Sequence, residues 1–255
     1  MDIFLGIDGS GAFGNAAYAK DFKDSFVTRL SHKGPFMKRH YLRGPSMTGV
    51  ETMSIVVTGD AWLTGQIADC KRHKVPYRIF MSGYSRGGAA VTEIAFRLKN
   101  RGEKVHTLLL FDAVDQSVLT NADVVPANVA NCFHAMRDPA AGSREFFGNC
   151  ATKAAAGVNF KKAKFFCTHG AMGGTPWTTV GKTGKIEEMT DGEKAATLAG
   201  VGLTIDIRKL QDTKKQADVH DFTNVTLEKE TSGGEATWKW MNERLSESLQ
   251  MSFVS

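Results

Sequence analysis

The sequence predicts an α/β fold in which a mostly parallel sheet carries helices on both faces. Short apolar runs suited to buried parallel strands recur along the 255 residues. Segments with helical periodicity lie between these runs, and such alternation implies right-handed crossovers that cover the sheet on both sides. The length and the apolar content suit a single domain, 1–255, with a sizeable core.

Individual elements follow from this pattern. The predicted strands are Ile3 to Ile7, Tyr77 to Met81, Val105 to Phe111, Val129 to Ala135 and Lys164 to Thr168. The segment from Gly49 to His73 has apolar residues at helical spacing and predicts one long helix or two broken ones. A last amphipathic helix is expected from Ala236 to Leu249.

Residues 178–234 differ from the rest because they are richer in Lys, Glu, Asp, Thr and Gly. They contain two weak helical stretches, Asp191 to Ala199 and Ile205 to Lys214. We interpret this region as an insertion or cap. It could form a lid over a site, or it could be a peripheral excursion without function, and the sequence does not decide between these two interpretations.

Composition limits the classes of partner and compartment. The formal charge of +5 is mild and the basic residues are scattered, which does not favour nucleic-acid binding but is compatible with peripheral contact with anionic lipid. The cysteines lack metal or disulfide spacing, and Cys132 and Cys167 are expected to be buried thiols. The chain enters a strand at Ile3 without a signal-peptide pattern, and no apolar run has membrane-spanning length. We therefore expect cytoplasmic synthesis, with any export by another route.

The most informative motif is G-x-S-x-G at Gly83-Tyr84-Ser85-Arg86-Gly87. An apolar run precedes it and an alanine-rich helical stretch, Gly88 to Leu98, follows. Strand, motif and helix in this order are typical of the nucleophile elbow of an α/β-hydrolase, where tiny residues flank a serine on a tight turn. The competing interpretation is a glycine-rich connection that only turns the chain. We predict Ser85 to be a nucleophile.

A nucleophilic serine needs a base, and in these folds the chain order is serine, acid, histidine. His169 follows the last apolar run and precedes a glycine-rich loop, so it is the predicted base, with His220 as the alternative. His106 and His134 lie at the start of a strand and within one, where a mobile base is unfavourable.

Three acids and two loops complete the predicted site. Asp112 and Asp138 each follow a strand and Asp115 is a third candidate, although Asp138 before Pro139 is also a turn former. Oxyanion donors are expected from the Arg86 N–H and from the turn containing Gly9 and Ser10. That turn also resembles the phosphate-binding turn of a sugar or acyl kinase, but no second phosphate loop follows.

Together these stretches resemble the α/β-hydrolase domain of type VI secretion phospholipase effectors and their uncharacterised relatives. The similar segments span most of the chain in the family's order: Gly6 to Ser10, Tyr41 to Gly49, Gly83 to Gly88, Phe111 to Val114, Val129 to Phe146, Thr168 to Gly174 and Trp238 to Met241. The resemblance implies a lipid ester substrate, Asp112 as the acid, and a secretion-system or immunity partner. A reaction through serine, histidine and aspartate requires no metal or organic cofactor.

Two departures from the family pattern leave a second function open. Ala171 replaces the family's aspartate after the histidine, and the glycine-rich loop near Tyr41 to Gly49 is degraded. A catalytically degenerate hydrolase fold that serves as a binding or toxin module is therefore the alternative to a serine ester hydrolase.

Overall fold

The computed structural model of the protein describes residues 1–115, 119–144, 147–188 and 223–251. Its main sheet has six strands, all parallel, in the order β2-β1-β3-β4-β6-β8. The strands are β1 Asp2–Ile7, β2 Lys38–Leu42, β3 Arg78–Tyr84, β4 Val105–Phe111, β6 Val129–Arg137 and β8 Asn159–Phe165. Two short strands, β5 Val124–Val125 and β7 Lys153–Ala154, form a separate parallel pair.

Helices cover both faces of this sheet and confirm the predicted α/β architecture. The described helices are α1 Asn15–Phe22, α2 Phe26–Lys33, α3 Thr52–Arg72, α4 Arg86–Asn100, α5 His169–Met172 and α6 Leu227–Gln250. A single 3₁₀ turn, Pro139–Ala141, follows β6. Within the described ranges, no helix combines the length and the apolar character needed to cross a bilayer.

Alternating side chains of the strands divide the core into two layers. Ile3, Leu5 and Ile7 of β1 pack with α3 and α4, in a layer of aliphatic residues. Phe4 of β1 points to the other face, where an aromatic-rich layer packs with α1, α2 and α6. Burial on both faces explains why the central strands have continuous apolar runs.

Several predicted bounds need correction. The edge strand β8 covers Asn159–Phe165 rather than Lys164 to Thr168, and α6 begins at Leu227 rather than Ala236, inside the predicted insertion 178–234. The helices α1 and α2 and the edge strand β2 were not predicted. The predicted stretches Asp191 to Ala199 and Ile205 to Lys214, and His220, lie outside the described residues.

The strand order fixes where a site is expected. The chain runs outward from β1 to β2 and then reverses to β3, so a crevice opens between the carboxyl ends of β1 and β3. Pairing of Ile7 with Gly83, and of Tyr84 with Phe111, sets the ends of β1, β3 and β4 level. The residues that follow these strands, Asp8, Ser85 and Asp112, are therefore neighbours along one edge.

Candidate active site

Ser85 lies on a strained turn between β3 and α4. Its backbone has φ 54° and ψ −127°, a region that non-glycine residues rarely adopt. The turn is closed by glycine, because a Cβ on Gly87 would overlap the carbonyl oxygens of Ile7 and Asp8. The side chain of Ser85 is thereby held at the first turn of α4, almost fully buried.

This close approach predicts a large difference between two glycine substitutions. Gly87→Ala should destabilise the protein by at least about 2 kcal/mol, because backbone atoms that cannot move aside would overlap the new methyl group. Gly65→Ala, within α3 where a Cβ meets nothing within 4 Å, should instead stabilise by about 0.5–1 kcal/mol. Urea unfolding of both variants measures the difference, and equal midpoints would contradict the tight-turn interpretation.

His169 reaches Ser85 from the segment after β8. Its Nε2 lies 2.9 Å from the Ser85 Oγ, although the two residues are far apart in sequence. The backbone N–H of His169 donates to the Ser143 Oγ at 2.7 Å, which fixes the first residue of α5. The imidazole packs against the ring of Tyr84, with centroids 5.0 Å apart, and Tyr84 OH donates to the His169 carbonyl.

A buried carboxylate from the last helix holds the same segment. Glu230 of α6 accepts hydrogen bonds from the backbone N–H and hydroxyl of Thr168, at 2.9 and 2.7 Å, and from the Trp177 N–H at 2.9 Å. Burial raises the pKa of Glu230 above its ordinary value, while these hydrogen bonds oppose that rise. Neither Glu230 nor Ser143 was identified from the sequence.

Asp112 completes a continuous chain of hydrogen bonds. Its Oδ2 lies 2.6 Å from the His169 Nδ1, and the residue is fully buried at the end of β4. Asp138 instead accepts from the Ala140 N–H and caps the 3₁₀ turn. Asp115 accepts from the Thr120 hydroxyl. The structure thus brings Ser85, His169 and Asp112 together, and it places Asp138 and Asp115 in other hydrogen bonds.

Arg137 is a member of this cluster that sequence reasoning missed. Its Nη1 donates to the Asp112 Oδ2 at 2.5 Å, and its Nη2 donates to the carbonyls of Arg144 and Phe147. Burial alone would raise the pKa of Asp112, but the Arg137 guanidinium and hydrogen bonds from His169 and Asn149 hold that pKa well below its ordinary value. Asp112 is therefore ionised at neutral pH.

The imidazole of His169 is kept in its neutral form. Burial lowers the pKa of His169, the Asp112 carboxylate opposes that effect, and the positive charges of Arg137 and Arg144 reinforce it. The Phe147 ring meets the imidazole edge-on at 5.7 Å between centroids. A neutral imidazole between a hydroxyl and a carboxylate can take the hydroxyl proton on Nε2 while Nδ1 donates to the carboxylate.

The predicted oxyanion residues lie beside Ser85. Arg86 is the first residue of α4, so its N–H lies at the positive, N-terminal end of that helix. Gly9 is in close contact with the turn, since a Cβ built on it would lie 3.0 Å from the Ser85 Cβ. The Ser10 Oγ accepts from the Arg86 Nη1 at 2.7 Å, which ties the two donor segments together.

His106, His134 and the cysteines have structural surroundings. His134 Nε2 accepts from the Ala113 N–H and burial lowers the pKa of His134 to about 4, so it is a neutral core residue. His106 lies in β4 and contacts the Met251 carbonyl. All cysteines are buried free thiols, and no cluster of three potential metal ligands occurs among the residues described.

Ala171, where the resembling family has aspartate, lies buried in α5 against α6. A carboxylate at this position would face the core. The hydrogen-bonded chain from Ser85 to Asp112 is complete without it.

Comparison with protein-family models and with curated protein sequences gives no match. Among solved structures, the chain is similar to an uncharacterized protein from Pseudomonas aeruginosa, with 14% sequence identity and a TM-score of 0.45, over 97% of this chain and 52% of that one. It thus spans about half the length of the Pseudomonas protein. It is also similar to the protein Atu2452 of unknown function from Agrobacterium tumefaciens strain C58, with 16% identity and a TM-score of 0.34, over 79% of this chain and 91% of that one.

Proposed function

We propose that the protein is a serine ester hydrolase that works through Ser85, His169 and Asp112. The observation that carries this proposal is the unbroken chain of hydrogen bonds from the Ser85 Oγ through the imidazole to the Asp112 carboxylate. A serine hydroxyl in such a chain is activated because the imidazole removes its proton as the new bond to the substrate forms.

The first half-reaction is acylation of the enzyme. The Ser85 Oγ attacks the acyl carbonyl carbon and its proton passes to the His169 Nε2. The carbonyl oxygen becomes an oxyanion that the N–H groups of Arg86 and of the Gly9–Ser10 turn would bind. When the tetrahedral intermediate collapses, the ester C–O bond breaks and His169 gives its proton to the departing alcohol.

The second half-reaction releases the acid. A water molecule gives a proton to His169 and attacks the acyl carbonyl, and collapse of the second intermediate restores the Ser85 hydroxyl. Asp112, kept ionised by Arg137, stabilises the imidazolium formed in both steps. No step needs a group beyond the side chains and backbone of this chain, so a metal or organic cofactor is not part of the proposal.

The substrate class proposed is a lipid ester, and the reaction is that of a phospholipase or lipase. Its support is the resemblance of motifs to type VI secretion phospholipase effectors, together with the mild positive charge of the chain. Peripheral contact with a membrane, and a secretion-system or immunity partner, belong to the same proposal.

Labelling with a fluorophosphonate probe tests whether Ser85 is activated. We expect stoichiometric labelling of the parent protein at Ser85, located by mass spectrometry of the digested protein. Labelling should fall at least about 100-fold in His169→Ala, since the hydroxyl loses its base. Ser54→Ala, an exposed serine on α3, is the matched control and should label like the parent. Folded protein that takes up no probe would instead support a degenerate binding or toxin module.

A further inference from the structure

A further buried carboxylate, beside those of Asp112 and Glu230, lies next to the site and has no place in the reaction described above. Asp8 follows β1 and is fully buried. Its Oδ2 accepts from the Ser25 Oγ at 2.5 Å, the Tyr41 hydroxyl at 3.0 Å and the Thr28 Oγ1 at 3.2 Å. Its Oδ1 is also buried, with no hydrogen-bond partner among the described residues.

This cluster supports the turn that contains Gly9 and Ser10. Tyr18 OH donates to the Gly9 carbonyl and accepts from the Gly44 N–H, both at 2.7 Å. Gly9 itself packs against Tyr84 and Ser85. The side chain of Asp8 is thus next in sequence to the residues that contact the nucleophile, and its hydrogen bonds reach α2 and β2.

The surroundings of Asp8 disfavour a negative charge. Its side-chain donors are uncharged hydroxyls, and the titratable groups that face it are the phenols of Tyr18 on α1, Tyr41 on β2 and Tyr84 on β3. Two cations lie near the turn, and each has other partners. The Arg43 guanidinium lies over the ring of Tyr18 and donates to the carbonyls of Ala12 and Phe13. The Arg86 Nη1 donates to the Ser10 Oγ and the Met47 carbonyl. Burial raises the pKa of Asp8 to about 7, although the hydrogen bonds from Ser25, Tyr41 and Thr28 lower it.

We propose that Asp8 is a positioning residue for the Gly9–Ser10 turn and acts in its protonated form, so that its ionisation lowers the activity of the site. A protonated Asp8, with its proton on Oδ1, accepts the three hydroxyl bonds on Oδ2 and leaves the turn electrically neutral. Ionisation places a negative charge next to the amides that would bind the oxyanion, where it opposes the charge that develops in the transition state. This inference rests on the proposed ester hydrolysis and makes the rate of that reaction depend on the ionisation of Asp8.

The expected signature is a bell-shaped dependence of kcat/KM on pH between 5 and 9. The rising limb belongs to His169, which must be neutral to take the proton. The falling limb belongs to Asp8 and should lower kcat/KM about 10-fold between its maximum and pH 9. A soluble phenyl ester, with the released acid measured by chromatography, gives the profile without a pH-dependent dye.

Three variants separate this role from a purely structural one. Asp8→Asn keeps an acceptor for the hydroxyls and cannot ionise, so its falling limb should disappear while the rising limb stays. Tyr41→Phe removes a donor that lowers the pKa of Asp8 and should move the falling limb to higher pH. Asp21→Asn, an exposed acid on α1, should leave the profile of the parent unchanged.

Thermal unfolding supplies a readout that does not depend on activity. Since the pKa of Asp8 in the folded protein lies above its ordinary value of 3.8, its contribution to stability is greatest below about pH 4 and is lost as pH rises to about 7. The gain in Tm of Asp8→Asn over the parent should therefore grow from pH 4 to pH 8.

The outcomes distinguish the two proposals. A falling limb that persists unchanged in Asp8→Asn, or a Tm difference that does not change with pH, would overturn the role of Asp8. Absence of both fluorophosphonate labelling and ester turnover would overturn the proposed function, whereas the Tm comparison would still report whether Asp8 is protonated in the folded chain.

Discussion

Replacing Ser85 with alanine is expected to lower kcat for ester hydrolysis by on the order of 10⁴- to 10⁶-fold. The reason is that the Oγ is the atom proposed to form the acyl-enzyme, and it is the hydroxyl oxygen that lies 2.9 Å from the His169 Nε2. Mass spectrometry of mixed phospholipids incubated with the parent and with Ser85→Ala measures the loss and also identifies the ester that is cleaved.

The fold should survive this change, because alanine keeps the Cβ and only a small polar group is removed. Ser54→Ala, which removes an exposed hydroxyl outside the site, is the control for differences in expression and purification and should retain parental turnover. Ser85→Gly should be as inactive as Ser85→Ala but more stable than it by about 1 kcal/mol, since glycine adopts a φ of 54° without strain. Turnover of Ser85→Ala near the parental rate on every ester would remove Ser85 from the mechanism.

The second large effect is expected from Asp112→Asn, which should lower kcat about 10⁴-fold. An asparagine cannot hold the imidazole with Nδ1 donating to a full negative charge, and it cannot stabilise the imidazolium. The change also leaves the buried Arg137 cation without its counter-ion, so a loss of about 3–5 kcal/mol in stability is expected. Rates must therefore be measured at a temperature where circular dichroism shows the variant to be folded.

Asp138→Asn is the matched control, because Asp138 was the alternative acid. Asparagine is as good an N-cap as aspartate, so the 3₁₀ turn at Pro139–Ala141 should form normally. Activity within about twofold of the parent is expected. If Asp138→Asn were the inactive variant and Asp112→Asn the active one, the observed hydrogen-bond geometry would not describe the working site.

The fold was predictable where both faces of a strand are buried. Val105–Phe111 is predicted to the residue because each of its positions lies in the core. The edge strands lack such runs because one side faces solvent: β2 contains Lys38, Arg39 and His40, and β8 contains Lys161, Lys162 and Lys164. The apolar residues that follow Lys164 led to a predicted strand that lies too far toward the C-terminus. Beyond Phe165 the chain already turns toward α5.

The site was predictable where local sequence sets the geometry. Ser85 follows from the glycines around it, and His169 follows from its position after the last strand. The choice between Asp112 and Asp138 could not be made from the residues alone, because both follow strands whose ends lie at the same edge. Arg137 and Glu230 act on the site through contacts between distant segments, and no pattern near either residue signals them.

The contacts of Ile186 have a consequence for how far sequences with this site could diverge. Its N–H donates to the Val225 carbonyl at 2.7 Å, and its carbonyl accepts from the Thr223 N–H at 3.2 Å. These two hydrogen bonds join the segments that precede and follow residues 189–222. Because the entropy of closing a chain grows only logarithmically, doubling the intervening length costs about 0.6 kcal/mol. Inserts of different length could therefore join these flanks at little cost in free energy, while Ser85, His169 and Asp112 keep their spacing.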